Sequence, residues 1–164
     1  MSEPTPVAPV VAHPSARLFA EILVPTDFSD HATQALRLAI ALARTHGARI
    51  TLVHVGVAAL AMYEIEPYSV PMSATLVAMH EEMAKEQKHV LDRIARDEIP
   101  DDVPWRTIAL EGFPPEEIVR CAEGQKCDLI VMSTHGRSGL SRAFLGSVTE
   151  RVMRASTVPV LVTR

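Results

Sequence analysis

Aromatic residues and positive charge are both too scarce for a dedicated nucleic-acid binder. One Trp, two Tyr and four Phe among 164 residues supply no base-stacking platform. The formal charge of −4 leaves no basic excess, whereas proteins that grip phosphate backbones present a basic face. Cysteine is scarce too. Cys121 lies in a helical pattern and Cys127 opens a strand pattern, a spacing that is neither CxxC nor a zinc knuckle. That spacing reads as two buried thiols in a reducing compartment. No apolar run reaches the ~20 residues of a membrane-spanning helix, so no membrane partner is expected. The opening stretch MSEPTPVAPVVAHPSARL has neither a basic n-region nor a continuous apolar h-region, so it does not read as a signal peptide. Residues 1–18 are expected to form a disordered N-terminal tail and residues 19–164 a single domain, with the cytoplasm as its location.

What is present is a chain with 48% hydrophobic residues. A chain of this length buries roughly 70% of its unfolded surface, so it needs no disulfide or metal to hold it. EILVP (Glu21 to Pro25) reads as a buried strand ended by proline. Ser29 then caps a helix to about His46, with Leu36, Ala39, Ile40 and Ala43 as its apolar stripe and Gly47 as its stop. ARITLVHV (Ala48 to Val55) is rich in β-branched residues and reads as a second strand. After a loop with Pro67 and Pro71, apolar residues recur at helical spacing: Leu76, Met79, Met83, Val90, Leu91 and Ile94. Met79 and Met83 read as core filler. Glu81, Glu82, Lys85, Glu86 and Lys88 read as a solvated face. PWRTIAL is a third strand, PPEEIVRCAE a helix with prolines and glutamates in its first turn, CDLIVM a fourth strand, and VPVLVTR the last. Strict alternation implies parallel strands with helices on both faces, joined by right-handed crossovers. Ligands in such sheets bind outside the carboxyl ends of the strands, where the strand order reverses. The residues with chemistry lie there: PTDFS after the first strand and STHGRSG after the fourth.

The stretch STHGRSGLSRAFLGS (Ser133 to Ser147) matches no phosphate or nucleophile motif in full. It lacks the lysine of GxxxxGK[ST], does not follow the first strand as GxGxxG does, and lacks the spacing of GxSxG. Its parts still suit an anion. Gly136 and Gly139 let backbone amides approach a ligand. Gly146 and Ser147 stand where a helix begins and its first amides attract phosphate. Arg137 and Arg142 add charge. A structural reading competes, because Ser147-Val148-Thr149-Glu150 is a capping box that starts a helix in any protein. The residues alone leave a phosphate cradle and a capped helix both open.

ILVPTDFS, ITLVHV, DLIVMSTHG and LGSVTERVMRASTVPVLV together resemble the universal stress protein family, over nearly all of residues 20–164. The resemblance implies an adenine nucleotide α-hydrolase-like fold: a five-stranded parallel open sheet of order 3-2-1-4-5 with helices on both faces. It implies ATP at the switch point between strands one and four. ATP-binding members carry Gly, two residues, Gly, nine residues, then Gly followed by Ser or Thr. Gly136, Gly146 and Ser147 fit the later positions, and Ser133 stands where the first glycine belongs. A serine forced into a left-handed backbone there would cost ~1–2 kcal/mol. By the same resemblance Gly136, Gly146, Ser147, Val148 and Thr149 surround the phosphates, with His135 and Arg137 beside them. Met132 and Ser133 lie by the ribose, Pro25, Thr26 and Asp27 line the adenine and ribose side, and Val55 offers its backbone to adenine. Magnesium or manganese would bridge the phosphates, needing few protein oxygens. A homodimer is implied through the last strand, an apolar edge in this order, using Val158, Val160 and Val162.

Each of these residues also has a plainer reading. Asp27 forms a turn into the helix, His135 shapes its loop, and His54 is a satisfied core histidine. His80 and His89 make no zinc pattern. Three functions follow: a nucleotide-dependent regulator in the stress response, a dimeric interaction module that binds no nucleotide, and a slow ATPase. For the last, no base or nucleophile is evident, and hydrolysis would rest on metal and positioning alone.

Overall fold

A computed structural model of the protein describes residues 17–56, 74–134 and 146–163. Its elements alternate along the chain: β1 (Glu21–Pro25), α1 (Asp30–His46), β2 (Arg49–Gly56), α2 (Ala74–Glu98), β3 (Trp105–Glu111), α3 (Pro114–Gly124), β4 (Leu129–Ser133), α4 (Ser147–Ala155) and β5 (Val160–Thr163). The strands form one parallel sheet of order β3-β2-β1-β4-β5, as the resemblance implies. The chain runs outward from β1 through β2 to β3, then returns to β4 on the other side. The carboxyl ends of β1 and β4 therefore flank the switch point.

Side chains alternate across the sheet, so β1 is buried on both faces. Ile22 and Val24 join Leu52, Val131 and the apolar stripe of α1 and α2. Leu23 joins Val53, Ile130 and Met132 under α3 and α4. Local signals fix α1 at both ends. The Ser29 hydroxyl accepts from the Ala32 N–H at 3.2 Å, and Gly47 closes the helix with φ 64°, a left-handed backbone open to glycine.

Helix α2 corrects the sequence reading. Met79 and Met83 are not core; each is 58% exposed. The helix has 25 residues, ~37 Å at 1.5 Å per residue, whereas eight-residue β2 extends ~26 Å. The first half of α2 reaches the sheet at its margin, where His80 Nε2 lies 2.8 Å from Glu111 Oε2 at the end of β3, and the second half covers it. There Leu91 and Ala95, with Ile99 just beyond the helix, are buried one turn apart. Lys88 is not merely solvated either. Its Nζ donates to both Asp92 oxygens at 2.6 and 2.7 Å and to the Thr107 hydroxyl at 2.9 Å. Burial raises the Asp92 carboxyl, but the hydrogen bonds from Lys88 and Thr107 outweigh it and leave the group below its ordinary range.

The amino end of the sheet holds a compact polar network. Glu21 accepts from the Thr51 hydroxyl, from Arg106 at 3.0 Å and from Arg49 at 3.5 Å. Arg106 Nε also donates to the Thr51 hydroxyl at 2.7 Å. Asp128 accepts from the backbone N–H groups of Ala20 and Glu21 at 2.7 and 3.0 Å. Cys121 and Cys127 are buried free thiols, as their spacing suggests. Burial, aided by the charge of Glu21, pushes the Cys127 thiol up to about 12.

Candidate functional site

The carboxyl ends of β1, β2 and β4 meet the amino ends of α3 and α4 around a cleft of about 350 Å³. Pro25, Thr26 and Asp27 enter it from β1 and the following turn. Val55 enters from β2, Met132 and Ser133 from β4, and Gly146, Ser147, Val148 and Thr149 from the start of α4. Thus all the residues selected from the sequence for the nucleotide site that the structure describes line one cleft. His135, Gly136 and Arg137 lie outside the described residues. Five lining residues were not selected: Ala32, Val53, His54, Pro114 and Ile118. Four of them are apolar and carry no chemical signal; only the position of β2 beside β1, and of α3 over that face, brings them in.

The turn after β1 is built by its own side chains. The Thr26 hydroxyl accepts from the Phe28 N–H at 3.0 Å, and Asp27 Oδ1 accepts from the Ser29 N–H at 3.1 Å. Asp27 therefore makes the turn and lines the cleft at once. His54 is satisfied, as a core histidine should be, with Nδ1 2.8 Å from the Thr26 carbonyl oxygen. It is also part of the cleft wall.

At α4 the capping box does not form. The N-cap is Gly146, no side chain caps the helix, and Ser147 is the exposed first helical residue. Glu150 accepts instead from Arg154, at 3.0 and 3.1 Å. Tertiary bonds set this boundary. The Gly146 N–H donates to the Thr134 carbonyl at 2.8 Å, and the Thr149 hydroxyl donates to the Ser133 carbonyl at 2.8 Å. A Cβ on Gly146 would lie 2.8 Å from that Thr134 oxygen. With φ −60° the position needs glycine for close approach, not for its backbone angle. Ser147, released from capping, stands at the cleft beside the first amides of α4, where the helix dipole favours an anion.

Ser133 carries no backbone strain. It is the last residue of β4, in register with Thr163, and the positive-φ non-glycine residues described are Phe28 and Lys126. Among the described residues no cluster of three or more His, Cys, Asp or Glu could hold a metal ion. None of the described helices is long and apolar enough to cross a membrane. At the sheet edge, Val158 and Val160 pack into the chain's own second core, while Leu161 is 37% exposed.

The model of the universal stress protein family matches residues 19–164. A universal stress protein of Methanocaldococcus jannaschii, MJ0531, is 34% identical over 148 residues, covering 90% of this chain and 83% of that protein. The solved structure of MJ0577, a second universal stress protein of that organism, superposes with a TM-score of 0.73 at 31% identity, over 89% of this chain and 96% of that one. A universal stress protein from Archaeoglobus fulgidus, solved in complex with dAMP, has a TM-score of 0.53 and 20% identity over 90% of this chain and 99% of that one, a likeness of fold alone. Family model, sequence identity and superposition agree, and the chain belongs to the universal stress protein family.

Proposed function

We propose that the cleft binds ATP and that the protein is a nucleotide-dependent regulator in the stress response, acting in the cytoplasm as a homodimer. One observation carries the nucleotide reading. The start of α4 is fastened to the end of β4 by the Gly146–Thr134 and Thr149–Ser133 bonds, which leaves Ser147 and the first helical amides at the cleft. Phosphate suits that end. The other end is walled by Val53, Val55, Ile118 and Met132, apolar surfaces that suit the faces of a purine ring. A volume of about 350 Å³ falls within the range of small-molecule sites. An accompanying magnesium or manganese ion would be held mainly by phosphate oxygens and water.

The test is calorimetric titration of ATP with magnesium into nucleotide-stripped protein. Micromolar binding is expected, weakened at least ~100-fold by Gly146→Arg, which fills the close approach to Thr134. Wild-type protein that takes up no ATP overturns the reading.

The alternative is a dimeric module whose function needs no nucleotide, and the exposed Leu161 on edge strand β5 favours pairing there. Sedimentation at micromolar concentration should give a dimer. A monomer would remove the homodimer from both readings, and a dimer without ATP uptake would favour the second.

A further inference from the structure

His54 is 8% exposed at the carboxyl end of β2, and it joins three parts of the cleft wall. Its Nδ1 lies 2.8 Å from the Thr26 carbonyl oxygen. A carbonyl only accepts, so Nδ1 carries the proton. The ring stacks on Phe28, with centroids 4.1 Å apart and planes 26° from parallel. Phe28 has φ 67°, a left-handed backbone that a bulky residue rarely takes and that persists only where its surroundings hold it.

The hydrogen-bond ladder points to the same residue. The Thr26 N–H donates to the Val53 carbonyl at 2.8 Å, one step past the end of β1. A parallel ladder would next join the Val55 N–H to the Thr26 carbonyl. Among the described residues that bond is not made, and the His54 ring takes the oxygen instead. Amides alternate between the two edges of a strand, so the Val55 N–H lies on the same edge as the Val53 carbonyl, facing the end of β1.

We propose that His54 is a positioning residue for the nucleoside end of the ligand: by holding the Thr26 carbonyl and the left-handed Phe28, it keeps Asp27 and the Val55 amide turned to the cleft. The role rests on the nucleotide reading of that cleft. It acts on the base and ribose, and it leaves the phosphate end at α4 untouched.

The experiment measures ATP and inorganic tripolyphosphate, each with magnesium, by displacement of a fluorescent ATP analogue, so that weak affinities are still read. Wild-type protein is compared with His54→Phe, which keeps a stacking ring but loses the donor, and with His54→Asn, whose amide donates from nearly the place of Nδ1. His54→Phe should weaken ATP about tenfold, the worth of one buried hydrogen bond, and tripolyphosphate less than about twofold. His54→Asn should stay within about threefold of wild type for ATP. Unchanged ATP affinity in His54→Phe overturns the role, and so does an equal loss for both ligands, the mark of a merely structural residue. Should His54→Phe melt below the assay temperature, His54→Leu, which also lacks the donor, takes its place with the same two criteria. Wild-type protein that binds neither ligand overturns the nucleotide reading itself, an outcome distinct from all of these.

Discussion

The two ends of the sheet are built from the same strands, yet they treat polar groups in opposite ways. At the amino end Glu21, Thr51, Arg106 and Asp128 bond to one another and to backbone. At the carboxyl end Thr26, Asp27, Ser133 and Ser147 line a cleft. Topology explains the difference. Each crossover helix starts above the carboxyl ends of the strands and finishes above their amino ends. The positive ends of α1, α3 and α4 therefore lie at the cleft, through Ala32, Pro114 and Ser147, and the negative ends lie toward the amino end of the sheet. The last helical turns carry basic residues to match: Arg44 and His46 in α1, Arg96 in α2 and Arg154 in α4. One end suits an anion from solution; the other is already neutralised by the chain.

That contrast makes binding and stability separable. Gly146→Arg should break the carboxyl end, with the ~100-fold loss of ATP affinity described above. Glu21→Leu should break only the amino end. It leaves the fully buried Thr51 hydroxyl without its acceptor and Arg106 without its counter-charge. The expected loss is about 2–4 kcal/mol in urea unfolding, with ATP affinity within about twofold of wild type. An ATP affinity that fell in step with stability would show the two ends to be coupled.

The smallest effect sharpens the contrast at an intermediate site, the half-exposed Lys88–Asp92–Thr107 group on α2 and β3. Burial opposes the Asp92 charge, but Lys88 and Thr107 hold its carboxyl below the ordinary 3.8 in the folded chain. The unfolded chain therefore takes up this proton first as the pH falls. The stabilisation is complete above the unfolded value and is lost as the pH drops through the lower folded one. The difference in unfolding free energy between wild type and Asp92→Asn should be under about 1 kcal/mol and flat at neutral pH, then shrink below about pH 4. A difference that grew in acid would contradict the assigned partners.

Local chemistry made much of this legible in the sequence. Ser29 and Gly47 mark both ends of α1 because capping is decided within a few residues, and the β-branched runs mark buried strands because both their faces are covered. The misreadings arise where a distant partner decides. Met79 and Met83 keep the helical period of a core face, but the period does not tell how far the sheet extends beneath the helix. Ser147 and Glu150 satisfy the capping-box pattern, yet the Thr134 carbonyl, twelve residues before Gly146 in the chain, draws the cap to Gly146. His54 reads as core from its apolar neighbours, and only the early end of β1 at Pro25 turns its ring into a backbone partner of Thr26.

The pair of bonds that ties Ser133 and Thr134 to Gly146 and Thr149 makes the end of β4 and the start of α4 one mechanical unit. Both donors follow carbonyls of neighbouring residues, so a substitution that displaces the end of β4 displaces Gly146 and Thr149 with it. A change in the sheet is thereby felt at the cleft without passing through the body of α4.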